Sequence, residues 1–315
     1  MIALVVLTIG LVALAVLLTS AVLTVFHFPY AVDAPGSPNS VAAREYYQDA
    51  YERSSAASNN GRFLEQEEYV AKARAHAVAA GIPRIVADFA KTAGVTSGRV
   101  LEVGAGSGLL QDTVPRYVGI DMSSRAKRFF HKPFVEASAT ALPFVDDSFD
   151  AAWSIWVLEH VPNPEQALSE IRRVVRSGGC VLLRPAWDCD PWAAEGCEVR
   201  PFRELSWRGR FMKASIPLVT SRWYSLLHSR QIRFVRTAIT SLSGKPARLR
   251  FKRLIPNYEK YWVTDSDAVV SLDFYEMYLW FTSRGDECLN VPSRGALIWG
   301  APGRRAQELV IRIRK

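Results

Sequence analysis

One short stretch decides the fold of this chain, an apolar run that leads into a glycine loop: Val100-Leu101-Glu102-Val103-Gly104-Ala105-Gly106-Ser107-Gly108. Because glycine has no Cβ, the backbone can turn tightly at the three alternate positions and approach a ligand closely. A loop of this kind, placed after a buried strand and opening a helix, presents the carboxyl edge of an α/β sheet to a nucleotide-like cofactor. The spacing departs from the dinucleotide fingerprint G-x-G-x-x-G, since the third glycine comes one residue early and an acid lies inside the strand.

Strand and helix patterns alternate around this loop. Strands are predicted at 100–103, 117–120, 134–135, 149–155 and 180–183. Helices are predicted at about 41–56, 63–80, 82–93, 109–114 and 164–175, the last stopped by Gly178 and Gly179. Such alternation indicates a parallel sheet with helices on both faces. Two further strands, at 296–299 and 309–313, predict a closing antiparallel hairpin. We therefore expect an α/β fold, a doubly wound sheet of about seven strands.

Composition limits the class of protein and of partner. The 315 residues suffice for one large or two small domains, and the four cysteines show no C-x-x-C spacing, so neither a disulfide framework nor a metal site is predicted. Charge is uneven: residues 1–184 hold 17 basic and 18 acidic residues, whereas 185–315 hold 22 and 13. Within 200–255, 14 Lys or Arg face Glu204 alone, which indicates an anionic partner.

The amino terminus predicts a membrane anchor. Its first 26 residues carry no charged side chain, and this run exceeds the roughly 20 residues that cross a bilayer as a helix. A cleaved signal peptide is the alternative, because a Val32-x-Ala34 step could be cleaved, but such a peptide would have a basic start and an apolar region of about 7–15 residues. Arg44 and Arg53 follow the run, which favours a single pass with the catalytic body in the cytosol.

Five ordered motifs lie downstream of the glycine loop. They are Ala141-Leu142-Pro143-Phe144, Ser148-Phe149-Asp150, Trp153-Ser154-Ile155-Trp156-Val157-Leu158-Glu159-His160-Val161, the helix positions Ala167-Leu168, Glu170-Ile171 and Val174, and Arg176-Ser177-Gly178-Gly179. Over residues 100–184 the chain resembles the type 11 family of class I S-adenosylmethionine (SAM)-dependent methyltransferases, which contains the quinone and sterol C-methyltransferases. The resemblance implies a Rossmann-like methyltransferase sheet with SAM as cofactor.

The resemblance also implies a cofactor pocket. Its expected residues are Glu102, Gly104, Ala105, Gly106, Gly108, Asp121, Met122, Ser138, Ala139 and Ser154. Asp121 would accept hydrogen bonds from both ribose hydroxyls, although it can also be interpreted as a helix N-cap before Ser123-Ser124. Met122 would cover the adenine. Ser138 departs from the family, which usually has an Asp there to accept a hydrogen bond from the adenine amine.

Two residues are candidates for catalysis, His160 and Asp188. Methyl transfer is an in-line displacement, so a general base is needed only if the acceptor must lose a proton. His160 follows the fourth strand at the sheet edge where ligands bind, but Glu159-His160 could merely end a helical turn and pack. Asp188, with Asp190, follows the fifth strand between Trp187 and Trp192; it could hold a substrate or form an ordinary turn.

The basic segment after the fifth strand interleaves aromatic and cationic side chains, such as Trp207, Phe211 and Trp223 with Arg208 and Arg222. This pattern favours a membrane surface with acidic lipid. A solvated cap over the active site is the second interpretation. Nucleic acid is the least favoured partner, because a tethered protein meets lipid first.

These inferences combine into one domain organisation. We expect a transmembrane anchor at 1–28, a linker and helix at 29–60, and a methyltransferase domain at 61–315. That domain comprises a SAM-binding core (95–185), an inserted cap (186–262), and a carboxyl-terminal helix and β-hairpin (263–315). The expected function is a membrane-anchored methyltransferase for a lipophilic or membrane-associated small molecule. The alternatives are a SAM-fold scaffold at the membrane and a nucleotide-cofactor oxidoreductase.

Overall fold

A computed structural model of the protein describes residues 30–31, 39–53, 69–190, 192–193, 196–221, 230–256, 267–291 and 308–315, with isolated residues 8, 11, 14–15, 18–19 and 295. The strands are β1 (Tyr30–Ala31), β2 (Arg99–Val103), β3 (Arg116–Asp121), β4 (Phe134–Glu136), β5 (Phe149–Ile155), β6 (Val175–Arg184), β7 (Phe251–Arg253), β8 (Val270–Ser271), β9 (Glu287–Cys288) and β10 (Leu309–Arg312). The helices are α1 (Asn39–Arg53), α2 (Tyr69–Ala79), α3 (Ile82–Thr92), α4 (Pro164–Val174), α5 (Trp207–Val219), α6 (Arg230–Ser243) and α7 (Phe274–Thr282).

Seven strands form the main sheet in the order β4-β3-β2-β5-β6-β10-β9. Strands β2 to β6 run parallel, and β10 lies antiparallel to both β6 and β9. The predicted seven-stranded α/β sheet is therefore confirmed. The strand predicted at 296–299 lies outside the described residues, and β9 is the described neighbour that pairs with β10.

Helices cover both faces of this sheet, as the alternation predicts. On one face, buried residues of β2, β3, β5 and β6 such as Leu101 and Val181 pack with α4 and α7. On the other face, their neighbours in the chain, such as Val100 and Leu182, pack with α3. Successive strand residues point to opposite faces, so fully covered strands are apolar at nearly every position. This is why the predicted bounds of β2 to β5 lie within one residue of the observed ones, whereas β6 begins at Val175, five residues before its predicted start.

Two local predictions are wrong. The helix predicted over 109–114 is a series of turns, with Gln111 N donating to Gly108 O and Thr113 N to Leu110 O. Only residues 104–115 connect β2 to β3, and the glycine loop occupies nearly half of them. The glycines at 178 and 179 do not end a helix either: α4 ends at Val174, and β6 begins at the next residue and runs through both glycines.

A second sheet of three short antiparallel strands, β1-β7-β8, was not predicted. Tyr30 pairs with Lys252 and Ala31 with Phe251, while Lys252 and Arg253 pair with Ser271 and Val270. The segment predicted as a cap at 186–262 therefore contributes β7 to a sheet, and this sheet joins residues that directly follow the predicted anchor to the body.

Among the residues that the structure describes, no helix is long and apolar enough to cross a membrane. Most of the predicted anchor, 1–28, lies outside those residues, so the anchor stays a prediction. The aromatic and basic residues at 222–229 lie outside them as well.

Candidate cofactor-binding site

The glycine loop follows the carboxyl end of β2 and is hydrogen-bonded to the carboxyl end of the neighbouring strand β3. Gly104, Gly106 and Gly108 have φ angles of +77°, +46° and +70°, which side chains with a Cβ rarely adopt. The amides of Gly104 and Ala105 both donate to the carbonyl of Ile120, at 2.9 and 2.7 Å. A Cβ at position 104 would overlap the methyl groups of Val157, which follows β5. Three strand ends therefore meet at a loop that only glycine can form.

Asp121, the last residue of β3, holds this loop by its carboxylate. One oxygen, Oδ2, accepts from the amide of Gly106 at 3.0 Å, and Oδ1 accepts from the amide of Ser123 at 2.9 Å. The residue that caps the short 3₁₀ helix Ser124–Phe129 is Ser123, so the N-cap interpretation of Asp121 is wrong. Each carboxylate oxygen has a second lone pair, which leaves acceptor capacity for a ligand.

Two carboxyl groups of the site have strongly raised pKa values. Burial raises the pKa of Asp121 from 3.8 to about 6, against the opposing effect of the amides that donate to it. Burial raises the pKa of Glu102 from 4.5 to about 8, and the charge of Asp121 adds to this rise. The hydroxyl of Tyr117 donates to Glu102 Oε2, and burial raises the pKa of Tyr117 well above its usual range. At neutral pH, Asp121 is ionised while Glu102 is mostly protonated.

Helices from the amino-terminal part cover the loop, and sequence analysis missed the residues that do so. The hydroxyl of Tyr51, on α1, lies 2.9 Å from where a Cβ of Gly106 would be. Arg74, on α2, donates to the carbonyl of Ser107. Both residues lie in ordinary helical patterns far from the motif, so no local signal marks them. Helix α1, which was predicted within the linker-and-helix segment 29–60, therefore forms a wall of the site.

The residues predicted to face the adenine lie near the end of β3. The amide of Ala137 donates to the Asp121 carbonyl at 2.9 Å, which places Ser138 and Ala139 beside it. Ser138 is exposed, and its hydroxyl lies 2.8 Å from that of Thr140. Met122 packs against the buried cluster of Tyr47, Tyr51, Val70 and Ala126. Ser154, inside β5, is 1% exposed, and its hydroxyl has no hydrogen-bond partner among the described residues.

His160 lies in a polar cluster after β5. Its Nδ1 is 3.4 Å from the carbonyl oxygen of Asp267 and 3.8 Å from Asp267 Oδ2. Its Nε2 is 3.7 Å from Glu159 Oε1. The hydroxyl of Tyr47, on α1, donates to Asp267 Oδ2 at 3.0 Å, and the Tyr47 ring meets the imidazole edge to face. Tyr47 and Asp267 are separated by 220 residues, so the sequence could not join them to His160.

Asp188 lies in a turn fixed to the strand β8. Its φ is +55°, and its amide donates to the carbonyl of Leu272 at 2.8 Å. The neighbouring Trp187 ring packs against Phe274, with 5.1 Å between the ring centroids. This geometry fits the turn interpretation, and a role for Asp188 in catalysis stays a prediction. Across the described residues, no group of three or more His, Cys, Asp or Glu side chains is arranged to hold a metal ion.

Comparison with known proteins adds independent information from sequence. Residues 101–183 match the family model described as a methyltransferase domain. An uncharacterized methyltransferase of Mycobacterium tuberculosis H37Rv is 40% identical over 95 residues, which cover 27% of this chain and 37% of that protein. One of Mycobacterium marinum is 33% identical over 152 residues, covering 43% of this chain and 60% of the relative. The chain thus spans less than two thirds of the length of these relatives.

Solved structures give weaker likenesses. A SAM-dependent methyltransferase from Thermotoga maritima, described as a possible histamine N-methyltransferase, aligns with a TM-score of 0.36 at 18% identity, covering 68% of this chain and 81% of its own. SAM-bound CalS10, an amino pentose methyltransferase from Micromonospora echinaspora, aligns with a TM-score of 0.32 at 20% identity, covering 35% and 51%. Because these scores are low, the assignment depends on the sequence matches. By those matches, residues 101–183 form a methyltransferase domain.

Proposed function

We propose that this protein is a membrane-anchored methyltransferase that transfers a methyl group from SAM to a lipophilic or membrane-associated small molecule. One observation carries the cofactor assignment: the Asp121 carboxylate accepts the amide of Gly106 within a loop of three left-handed glycines. This arrangement leaves three of the five loop positions without a Cβ and places a carboxylate beside the loop. It fits a ligand with a diol and a cationic group.

The residues present fit SAM in both polarity and charge. When bound, SAM supplies a methyl group activated by a positively charged sulfonium. The remaining lone pairs of Asp121 would accept the ribose hydroxyls, and the buried hydroxyl of Ser154 is a further group without a partner among the described residues. Near pH 7 the pair Asp121 and Glu102 carries about one negative charge, since their pKa values are about 6 and about 8. This charge favours a cationic ligand.

His160 would accept the proton of an acceptor that must lose one. If Nδ1 carries a hydrogen and donates it to the Asp267 carbonyl, Nε2 keeps its lone pair and can serve as the base. Glu159 and Asp267 lie close enough to stabilise the imidazolium that forms. Asp188 is retained as the weaker candidate, because its turn is explained by backbone pairing with Leu272.

Location at a membrane is supported by the sequence. The uncharged run at 2–26 is long enough to span a bilayer, and Arg44 and Arg53 after it favour a cytosolic body. The excess of cations at 200–255 suits acidic lipid, and nucleic acid is the less favoured partner for this segment. An acceptor that resides in the bilayer would be concentrated at such an enzyme.

The test has two parts. Calorimetric titration of the full-length protein with SAM should show saturable binding that Asp121→Ala abolishes or greatly weakens, with the circular dichroism spectrum unchanged. Incubation with methyl-labelled SAM and a total lipid extract should then label one lipid-soluble species. Binding of NAD(P) in place of SAM would favour an oxidoreductase. Association with vesicles without SAM binding would favour the scaffold.

A further inference from the structure

Helix α6 has the reverse of the usual distribution of charge on a surface helix. Its arginines face the protein: Arg233 Nη2 donates to Asp273 Oδ2 at 3.0 Å, and Arg236 Nε lies 3.1 and 3.2 Å from the two carboxylate oxygens of Glu276. The side chains of Arg233 and Arg236 are only 12% and 15% exposed. The inner face of α6 is therefore cationic and paired with α7.

The outer face of the same helix is apolar. Val235, Ile239 and Leu242 are 53%, 56% and 87% exposed, and Phe234 beside them is 56% exposed. The spacing of 235, 239 and 242 puts these side chains on one stripe of a helix. In a helix that covers a soluble core, this stripe faces inward and the charged residues face water. We call these four residues the α6 stripe.

The ion pairs keep the stripe turned outward. Glu276 is 4% exposed and burial raises its pKa, while Asp273 caps α7 by accepting the amide of Tyr275 at 2.6 Å. Rotating α6 to bury the stripe would leave both carboxylates without their guanidinium partners. A buried carboxylate that loses its cationic partner strongly destabilises the folded state. The exposed apolar surface is thus a consequence of specific contacts.

Short links connect α6 to the point where the chain leaves the predicted anchor. Arg236 Nη2 donates to the carbonyl of Arg248 at 2.5 Å, and β7 begins three residues after Arg248. Strand β7 pairs with β1, whose first residue, Tyr30, lies four positions after Phe26, the end of the uncharged run at 2–26. Four residues span at most about 14 Å. The exposed cations Lys245 and Arg248 lie just beyond the end of α6.

We propose that the α6 stripe inserts into the interfacial layer of an anionic phospholipid bilayer, with Lys245 and Arg248 at the level of the lipid headgroups. The inference rests on the proposed membrane location of the enzyme and names the surface that contacts lipid. Apolar side chains flanked by cations are what binds at this depth. The contact would hold the body against the membrane in one orientation, which an anchor joined by a linker cannot do alone.

The test measures the depth of single positions in the full-length protein. The environment-sensitive fluorophore NBD is attached to a cysteine at Leu242→Cys, in a Cys288→Ser background, because Cys180, Cys189 and Cys197 are buried. The matched control is Val145→Cys, since Val145 is an apolar residue that is 77% exposed on the loop before β5. Each protein is reconstituted into vesicles of phosphatidylcholine and phosphatidylglycerol, with and without brominated acyl chains.

NBD at position 242 should shift its emission to the blue and lose most of its intensity with brominated lipid, while NBD at 145 should do neither. Equal, water-like emission at both positions would refute the proposal. A blue shift at 242 that grows with protein concentration and ignores bromination would also refute it, because a second copy of the chain would then cover the stripe. Titrating SAM into the same vesicles tests the lipid contact and the proposed function separately. Quenching without SAM binding refutes only the methyltransferase proposal. SAM binding without quenching refutes only the lipid contact.

Discussion

The most direct test of the site's electrostatics is the substitution Glu102→Gln. Folding raises the pKa of this carboxyl from 4.5 to about 8, because the side chain is buried between strands. The folded state therefore holds a proton that the unfolded state releases, and this contribution to stability is fully present below pH 4.5. It is lost progressively as the pH rises towards 8. Glutamine keeps the shape and can still accept the Tyr117 hydroxyl, but it does not titrate.

The magnitude follows from linkage between proton binding and folding. The difference between 4.5 and about 8 corresponds to about 5 kcal/mol, at about 1.36 kcal/mol per pH unit. Between roughly pH 5 and pH 7.5, the free energy of unfolding of Glu102→Gln minus that of the wild type should therefore rise by about 1.4 kcal/mol per pH unit. Other titrating groups are common to both proteins, so their contributions cancel in this difference.

The assay is urea unfolding of the full-length protein in one detergent, followed by circular dichroism at several pH values. The control is Asp88→Asn, because the Asp88 side chain is 67% exposed on α3, and its curve should run parallel to that of the wild type. If the difference between Glu102→Gln and the wild type were constant over this range, Glu102 would not be held protonated, and our account of the buried carboxyl would be wrong.

Three further predictions concern packing, an ion pair and the anchor. In thermal or urea unfolding, Gly104→Ala should destabilise the protein by about 2–5 kcal/mol, because the left-handed backbone is strained and the new Cβ overlaps Val157. The control Gly178→Ala has a similar φ but open space around it, so it should cost only about 1–2 kcal/mol. Asp286→Ala should cost about 3–5 kcal/mol in the same assay, because Arg172 loses the carboxylate to which it donates at 2.7 and 3.1 Å and keeps only the carbonyl of Arg314; an unchanged midpoint would contradict this. Deletion of residues 1–28, which keeps β1, should release the protein from membranes, and any remainder held by the basic segment should come off in high salt; a deletion variant that stays on membranes as fully as the intact protein would contradict the anchor.

The main sheet could be predicted from sequence because its strands are covered on both faces. Such strands appear as apolar runs bounded by turn residues, and the predicted bounds of β5 agree with the structure residue for residue. The strands β1, β7 and β8 could not be predicted, since two or three residues show no periodicity. The helix predicted at 109–114 failed because apolar residues such as Leu110 are buried by turns as well as by helices.

The cofactor loop could be predicted because its residues are adjacent in the chain and Asp121 follows within the same β-loop-β unit. Tyr51, Arg74 and Asp267 were not, because they reach the site from other elements through tertiary contacts. The orientation of α6 shows the limit most clearly. Its pattern indicates an amphipathic helix, but the partners of Arg233 and Arg236 lie 40 residues downstream, and only they decide which face is inward.

The two raised pKa values lead to a last prediction, about ligand charge. Near pH 7 the site carries about one negative charge, mainly on Asp121, and this charge attracts the sulfonium of SAM but gains nothing from a neutral thioether. As the pH falls below about 6, Asp121 becomes protonated, and SAM affinity should fall by up to about tenfold per pH unit. The affinity for S-adenosylhomocysteine, the demethylated thioether, should fall less, because it loses only the ribose hydrogen bonds. Calorimetric titration of both ligands from pH 5 to 7.5 measures the ratio, and Asp121→Asn should make it independent of pH over this range. A wild-type ratio that stays constant would mean that Asp121 does not recognise the charge of the cofactor.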